Sequence, residues 1–398
     1  MRTRTYRTAL LSTLLLAGCT PRETMPELTD RVFAVAAAQY EQLEGRLTDE
    51  TLPRSVASDG KFIPSNIRWW CSGFYPGSLW YIYEYTGDKT FRELAEKNTF
   101  KLYPLKQKGT DHDLGFQMNC SFGNAYRITG EQKYLEPIHT SARVLAGRFS
   151  PVTGVIRSWD FVRKGRDWKY PVIIDNMMNL ELMFKATEFS GDSTYYNIAV
   201  KHADRTMKEH FRDDYSCYHV VDYDLTTGDV RGRCTAQGYA DDSAWARGQA
   251  WAVYGYTACY RYTGDKRYLD HARKVAGFML DDKNMPADLV PYWDYDAPNI
   301  PNEPRDVSTA AIIASAFYEM YTYTGDGLYK QKADRIVESL SSPAYRAPVG
   351  GNGGFLLMHS VGSIPHGSNI DVPLNYADYY FLEALIRKGR LEAGEPLF

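Results

Sequence analysis

The chain is poor in the features that would place it in several large functional classes. After the first nineteen residues no apolar run approaches the ~18 residues needed for a spanning helix, which excludes a multi-pass helical membrane protein. Its six cysteines show no CxxC spacing, so neither a disulfide framework nor a zinc ribbon is indicated. Basic and acidic residues nearly balance, 46 against 49, leaving no surplus for a general nucleic-acid surface. There is no phosphate-cradling glycine loop, no nucleophile elbow and no His/Cys/carboxylate group at metal-ligand spacing. No cofactor or metal is therefore implied. No stretch rich in Pro, Gly or Ser divides the body, which reads as one domain despite a length that would allow two.

The amino terminus is a targeting segment. Arg2, Arg4 and Arg7 precede the apolar run Ala9 to Leu16, and Leu16-Ala17-Gly18-Cys19 follows. This is the pattern of a bacterial lipoprotein signal, with residues 1–18 removed, Cys19 acylated and residues 19–29 serving as a tether. The expected product is a periplasmic or outer-membrane-attached lipoprotein that touches the membrane only through its lipid.

What the chain has in quantity is tyrosine, 31 of them, and a recurring phrase that contains it. The phrase reads YEYTGD to Asp88, YRITGE to Glu131, TEFSGD to Asp192, YRYTGD to Asp265 and YTYTGD to Asp326. Each copy closes one apolar helical stretch and opens another. Glycine suits the left-handed residue that ends a helix, and a following Asp caps the next. Periodicity between these signals gives twelve helices, beginning near Asp30, Pro76, Thr90, Gln117, Gln132, Asn176, Ser193, Trp245, Lys266, Val307, Leu328 and Leu374. Only Cys217 to Thr235, with TTGD as its turn, reads as a strand hairpin. Twelve helices in six hairpins predict an all-α (α/α)6 toroid over residues 30–398 with a small β-hairpin insertion.

In such a ring the first helices of all hairpins run the same way, so their amino ends share one rim. The chemically rich residues fall there: Trp69 and Trp70, His112 and Asp113, Asp175, Trp245 to Trp251, Asp306, and Asp371 with Asn375. Converging helix amino ends favour an anionic ligand. Asp113 and Asp175 are the minimum kit for acid/base work on a glycosidic substrate, although an isolated Asp at such a position is equally read as a cap. Trp245 and Gln249, and Arg247 and Trp251, are paired at i,i+4, an arrangement that can stack on a ring and grip a carboxylate, or simply form a packing seam. His219 and Gln237 sit in the hairpin insertion, and His366, Asn369 and Asp371 in a glycine-rich loop before the last helix.

At these residues the sequence resembles the unsaturated glucuronyl hydrolases of glycoside hydrolase family 88. The carrying segments are RWWCSGFYPGSLWYIYEYTGD, HDLGF, VIIDNMMNLELMF, SAWARGQAWAVYGY and NIDVPLNYADYYFLEAL, and the match runs from about Asp30 to Arg387. The resemblance implies removal of a non-reducing-end 4,5-unsaturated uronic acid from lyase-generated oligosaccharides, glycosaminoglycan disaccharides foremost, by hydration of the C4=C5 vinyl ether. It implies Asp175 as the proton donor and Asp113 as the second essential carboxylate. It further implies that Trp70, His112, Trp159, His219, Gln237, Arg247 and Trp251 bind the substrate. The family's sulfate-reading residues near the last helix are not clearly present: Ser360 and Ser363 are there, but Pro365 stands where a Lys would have been informative, so the resemblance leaves the preference among sulfated, acetylated and plain disaccharides open. A rhamnogalacturonan-type hydrolase of the same fold and a non-catalytic glycan-binding lipoprotein are the competing readings.

Overall fold

The computed structural model describes residues 24–161, 163 and 165–398. The signal segment and Cys19 lie outside the described residues. Thirteen α-helices are described: α1 (Met25–Glu44), α2 (Phe74–Thr86), α3 (Lys89–Lys101), α4 (Leu114–Met118), α5 (Asn124–Thr129), α6 (Leu135–Ala146), α7 (Leu180–Ser190), α8 (Ser193–Glu209), α9 (Ala246–Thr263), α10 (Lys266–Asp281), α11 (Val307–Thr324), α12 (Gly327–Ser341) and α13 (Asn375–Ala393). A five-residue π-helical segment, Asn119–Gly123, joins α4 to α5 into one inner helix, and a 3-10 turn, Ile174–Asn179, leads into α7.

The recurring phrase makes the turns for a readable reason. In four copies the glycine is left-handed, the Asp carboxylate accepts the backbone N–H two residues on, and the Thr or Ser hydroxyl accepts the Asp N–H. The hydroxyl donates in turn to a carbonyl one turn back. At the fifth copy the longer Glu131 makes no such cap, and a short 3-10 turn precedes α6.

Five hairpins follow in chain order, and the sixth is closed by the two ends of the chain. Helix α13 packs between α11 and α2 in the inner ring, while α1 lies outside against α2 and α13. Gln39 of α1 fastens this closure, donating to the carbonyls of Gly351 and Phe355 and accepting from the Gly350 N–H. Helix α1 thus begins at Met25, behind the cap Thr24, so residues 25–29, read from sequence as tether, belong to the fold. The (α/α)6 toroid is the observed architecture.

More strand is present than the single hairpin expected. β1 (Thr51–Val56) pairs with β2 (Phe62–Asn66), β3 (Phe149–Ser150) with β4 (Val155–Ile156), and β8 (Ser360–Ser363) with β9 (Ser368–Val372). The expected hairpin, β6 (Val220–Tyr223) and β7 (Val230–Cys234), gains a third strand, β5 (Pro171–Ile173). That third strand is the apolar run before Asp175. A buried run this short carries no periodicity to separate strand from helix. Among the described residues no helix is long and apolar enough to cross a membrane.

Candidate active site

The amino ends of the inner helices surround a cleft of about 410 Å³, within the ~300–1,000 Å³ usual for small-ligand sites. Among the described residues, four cationic side chains reach it, from Arg68, Lys108, Arg163 and Arg247, beside the carboxyls of Asp111, Asp113 and Asp175. Trp70, Trp159 and Tyr376 supply ring faces.

Asp175 owes its place to a change of local structure. β5 pairs with β6, the Ile174 N–H donates to the His219 carbonyl at 3.0 Å, and the chain then tightens into the 3-10 turn. Two glycines let neighbouring helices press against that turn. A Cβ on Gly115 would stand 2.3 Å from Asn179 Oδ1, and one on Gly255 would stand 2.5 Å from Met177 Cβ. One oxygen of Asp175, Oδ2, is buried and has no hydrogen-bond partner. Burial pushes its pKa up to about 7, outweighing the pull of Arg247, of its own backbone N–H, of the Trp251 indole N–H and of Arg163. Asp113 occupies the position before α4 yet makes no capping bond with its side chain. Its pKa is raised well above the usual carboxylate range by burial first, then by Asp111, with Asp175 adding to the repulsion against Lys108 and Arg148. The capping alternative for Asp113 therefore fails on geometry.

Each of these carboxyls faces a buried histidine whose tautomer is set by the donors that reach its Nδ1. The Ala236 and Gln237 N–H groups both donate to His219 Nδ1, at 3.0 and 3.1 Å. Nδ1 is therefore the acceptor, and the proton sits on Nε2, 3.6 Å from Asp175 Oδ2. Asn179 Oδ1 accepts the Phe116 N–H, so its amide group donates to His112 Nδ1 at 3.2 Å. That leaves the His112 Nε2 proton toward Asp113 Oδ1, 3.5 Å away. Burial pushes the pKa of His112 down to about 3 and that of His219 well below its ordinary value, so both are neutral donors at physiological pH.

Of the nine residues named from sequence as catalytic or substrate-binding, Trp70, Asp113, Trp159, Asp175, Gln237 and Arg247 line the cleft. His112, His219 and Trp251 do not; they stand behind the wall. His112 and His219 are packed behind the two carboxyls, and Trp251 is wholly buried among Phe116 and Tyr380, its indole turned toward Asp175. Arg247 is not a free grip for a carboxylate. Its guanidinium pairs with Asp306 at 2.9 Å and donates to the carbonyls of Val361 and Gly362, tying β8 to the wall. Gln249 is structural, bonding both the N–H and the carbonyl of Cys217.

Sequence reasoning missed Lys108, Arg68, Arg163 and Tyr376. Lys108 is bound to Asp111 at 2.9 Å and to Gln117, positions close enough to Asp113 that the charge alternation of KGTDHD was a usable signal. Arg163 carried none. It reaches the site by stacking its guanidinium 4.8 Å from the Trp159 ring and donating to His366.

An aromatic, cationic cleft at the amino ends of a six-hairpin ring, with one buried and one partly buried carboxyl that no lysine or arginine pairs among the described residues, defines a carbohydrate-active hydrolase of the (α/α)6 class. Comparison with known proteins narrows this. The model of Glycosyl Hydrolase Family 88 matches residues 45–258, and the chain belongs to that family. It is 45% identical over 365 residues to an unsaturated glucuronyl hydrolase of Formosa agariphila, covering 89% of this chain and 90% of that protein. It is 33% identical over 346 residues to an unsaturated chondroitin disaccharide hydrolase of Streptococcus pneumoniae, covering 85% and 86%. The crystal structure of an unsaturated glucuronyl hydrolase specific for heparin superposes with a TM-score of 0.90 at 44% identity, over 92% of this chain and 98% of that one.

Proposed function

We propose that this glycoside hydrolase removes a 4,5-unsaturated uronic acid from the non-reducing end of glycosaminoglycan oligosaccharides by hydrating the ring double bond, with Asp175 as the acid. The observation that carries the assignment is a buried carboxyl at the cleft whose free oxygen has no partner and whose pKa is pushed up to about 7. A carboxylic acid must be neutral to give a proton, and near neutral pH much of this one is.

The step balances with protein groups alone. Asp175 gives its proton to C4, and positive charge develops on C5 and the ring oxygen. The Asp175 carboxylate then takes a proton from a water whose oxygen bonds to C5, which restores the acid. The resulting hemiketal opens by breaking the C5–ring oxygen bond, which gives a ketone at C5 and a hemiacetal at C1. The hemiacetal then breaks its C1–oxygen bond to the neighbouring sugar, leaving an aldehyde and the released sugar's hydroxyl. The His219 Nε2–H steadies the carboxylate form between the two proton transfers. Asp113, facing His112, holds ring hydroxyls. Arg68, Lys108, Arg163 and Arg247 give the cleft a positive field for the sugar carboxylate, reinforced by the converging helix amino ends. Trp70 and Trp159 offer stacking faces and Gln237 a hydrogen bond.

Incubation with unsaturated chondroitin and hyaluronan disaccharides tests this reading, since hydration destroys the ultraviolet absorbance of the conjugated double bond. Loss of absorbance with wild type and none with Asp175→Asn is expected. Loss only with rhamnogalacturonan-derived substrates overturns the glycosaminoglycan assignment, and equal activity in the variant overturns the choice of acid.

The signal pattern ending at Cys19 supports a lipid-anchored location, periplasmic or at the outer membrane. Metabolic labelling with a fatty acid should mark the wild-type protein and leave Cys19→Ala unlabelled; label on both would exclude this anchor.

A further inference from the structure

The cleft does not end at its mouth. Arg163 and His366 belong to its wall and equally to a second, more open hollow of about 540 Å³ on the other side of their contact. The Arg163 guanidinium donates to His366 Nε2, so the ring proton lies on Nδ1 and is given to the Ser363 hydroxyl. This places a cationic side chain at the junction of the two spaces.

The hollow has the chemistry of a sugar site. Tyr239 is 48% exposed, and the only ring near it is Trp293, edge-on at 6.5 Å, so its face is uncovered by any aromatic partner among the described residues. Its backbone is nevertheless fixed, because the Tyr239 N–H donates at 2.8 Å to Asp294, which also accepts the Ser243 hydroxyl. A bare aromatic face carried on a fixed backbone is a surface on which a sugar ring can stack. Arg166 stands beside it, held in place by Asp241 at 2.7 Å and by the Thr235 carbonyl. Among the described residues these contacts occupy three of its five N–H donors, and the other two meet no protein acceptor there.

Another way out of the cleft runs past Trp69, also exposed, but the Arg54 guanidinium already covers that ring at 3.9 Å. The hollow at Tyr239 is the exit that offers a bare ring and unsatisfied cationic donors together.

We propose that this hollow is a distal subsite for the third sugar residue of an unsaturated glycosaminoglycan oligosaccharide, a uronate that stacks on Tyr239 and directs its carboxylate to Arg166 and Arg163. The inference rests on the hydrolase reading, which places the unsaturated ring at Asp175 and leaves the cleft for the first two rings. In these alternating polymers the third ring is again a uronate, so the anion recurs where the arginines stand. The enzyme is then built for oligosaccharides longer than the disaccharide.

The test compares steady-state kinetics on the unsaturated disaccharide and tetrasaccharide of one unsulfated polymer, hyaluronan. Wild type should show a KM for the tetrasaccharide roughly threefold to tenfold below that for the disaccharide, the scale of one aromatic contact. Tyr239→Ala should erase that difference and leave disaccharide kinetics unchanged, whereas Tyr239→Phe should keep it. Equal KM values for the two substrates in wild type, or an equal effect of Tyr239→Ala on both, overturns the subsite while the hydrolase reading stands. Failure of wild type to consume either substrate, or the chondroitin and heparin-derived counterparts, overturns both. A tetrasaccharide carrying sulfate, run in parallel, separates the sources of the anion: a preference appearing only with sulfate assigns the hollow to sulfate and overturns the uronate.

Discussion

The two ends of the toroid carry similar numbers of charged residues and treat them in opposite ways. At the amino ends of the inner helices, the partly buried Asp113 and the buried Asp175 stand beside neutral histidines, and an oxygen of Asp175 is left without a partner. At the carboxyl ends lies a second cavity, of about 390 Å³, where the acids and bases are tightly matched. Arg261 binds both oxygens of Glu319 at 2.7 Å and also reaches Glu181; Arg387 binds Glu319 at 3.0 Å; Glu383 accepts from Ser315, Tyr81 and Tyr254. Burial pushes the pKa of Glu181 up, but Arg261 and Lys185 outweigh it and hold the value below normal. Helix carboxyl ends carry partial negative charge, which the arginines offset. The difference teaches that burial of a carboxyl is not itself the mark of catalysis. Nor is a raised pKa, since Asp378 is pushed up to about 7 as well but has both oxygens bonded by the Leu356 and Leu357 N–H groups; Asp175 differs in keeping a buried oxygen that no donor reaches.

The comparison breaks most sharply at Asp175. Asp175→Asn should lower turnover by at least about a thousandfold, the upper part of the range for general acid catalysis plus the lost second proton transfer, with unchanged circular dichroism. In the wild type the rate should fall as pH rises through about 7, where the acid loses its proton. The same residue makes a stability prediction of definite sign. The folded protein keeps this proton to about pH 7, whereas an unfolded chain releases it near pH ~4, so burial costs stability that grows across that window and is complete above it. Asp175→Asn should therefore raise the unfolding free energy at pH 8 by an amount on the order of 1–3 kcal/mol, and hardly at all at pH 4. An equal gain at both values would mean the carboxyl is not held protonated.

The opposite rim should respond in the opposite way. Glu319→Ala removes the carboxylate shared by Arg261 and Arg387, leaving Arg261 with Glu181 and Arg387 with Glu383, and should cost on the order of 3 kcal/mol in urea unfolding. The KM of the fraction that remains folded should not change, because Glu319 lies at the far end from the cleft. A raised KM with normal stability would erase the distinction between the two rims.

The smallest effect sharpens the account of the turns on that far rim. Asp265→Ala removes the cap on the Arg267 N–H and should cost about 1 kcal/mol. Glu131→Ala, at the one turn where no side-chain cap forms, should lose less through capping, its remaining cost coming from the Arg92 and Lys133 pairs. Urea midpoints for the two variants, with and without high salt to screen those pairs, separate the contributions.

Much of this was already written in the chain. Five Thr-Gly-Asp-like phrases determined the hairpins, because a left-handed glycine and a capping oxygen act within four residues and need no help from the rest of the fold. Asp113 and Asp175 could be placed on one rim because helix direction follows from hairpin order. Tertiary structure decided the rest. Val172 and Ile173 became strand because β6 offered an edge, and that pairing aims Asp175. Trp251, His112 and His219 went behind the wall because helices, the β5–β7 sheet and its flanking tryptophans close over them, which no spacing reveals. Arg247 was claimed by Asp306, and Arg163 was brought to the cleft by a ring from its own loop and a histidine 203 positions away. The pKa of Asp175 was decided last and only in three dimensions, since desolvation is a property of the surroundings and not of the residue.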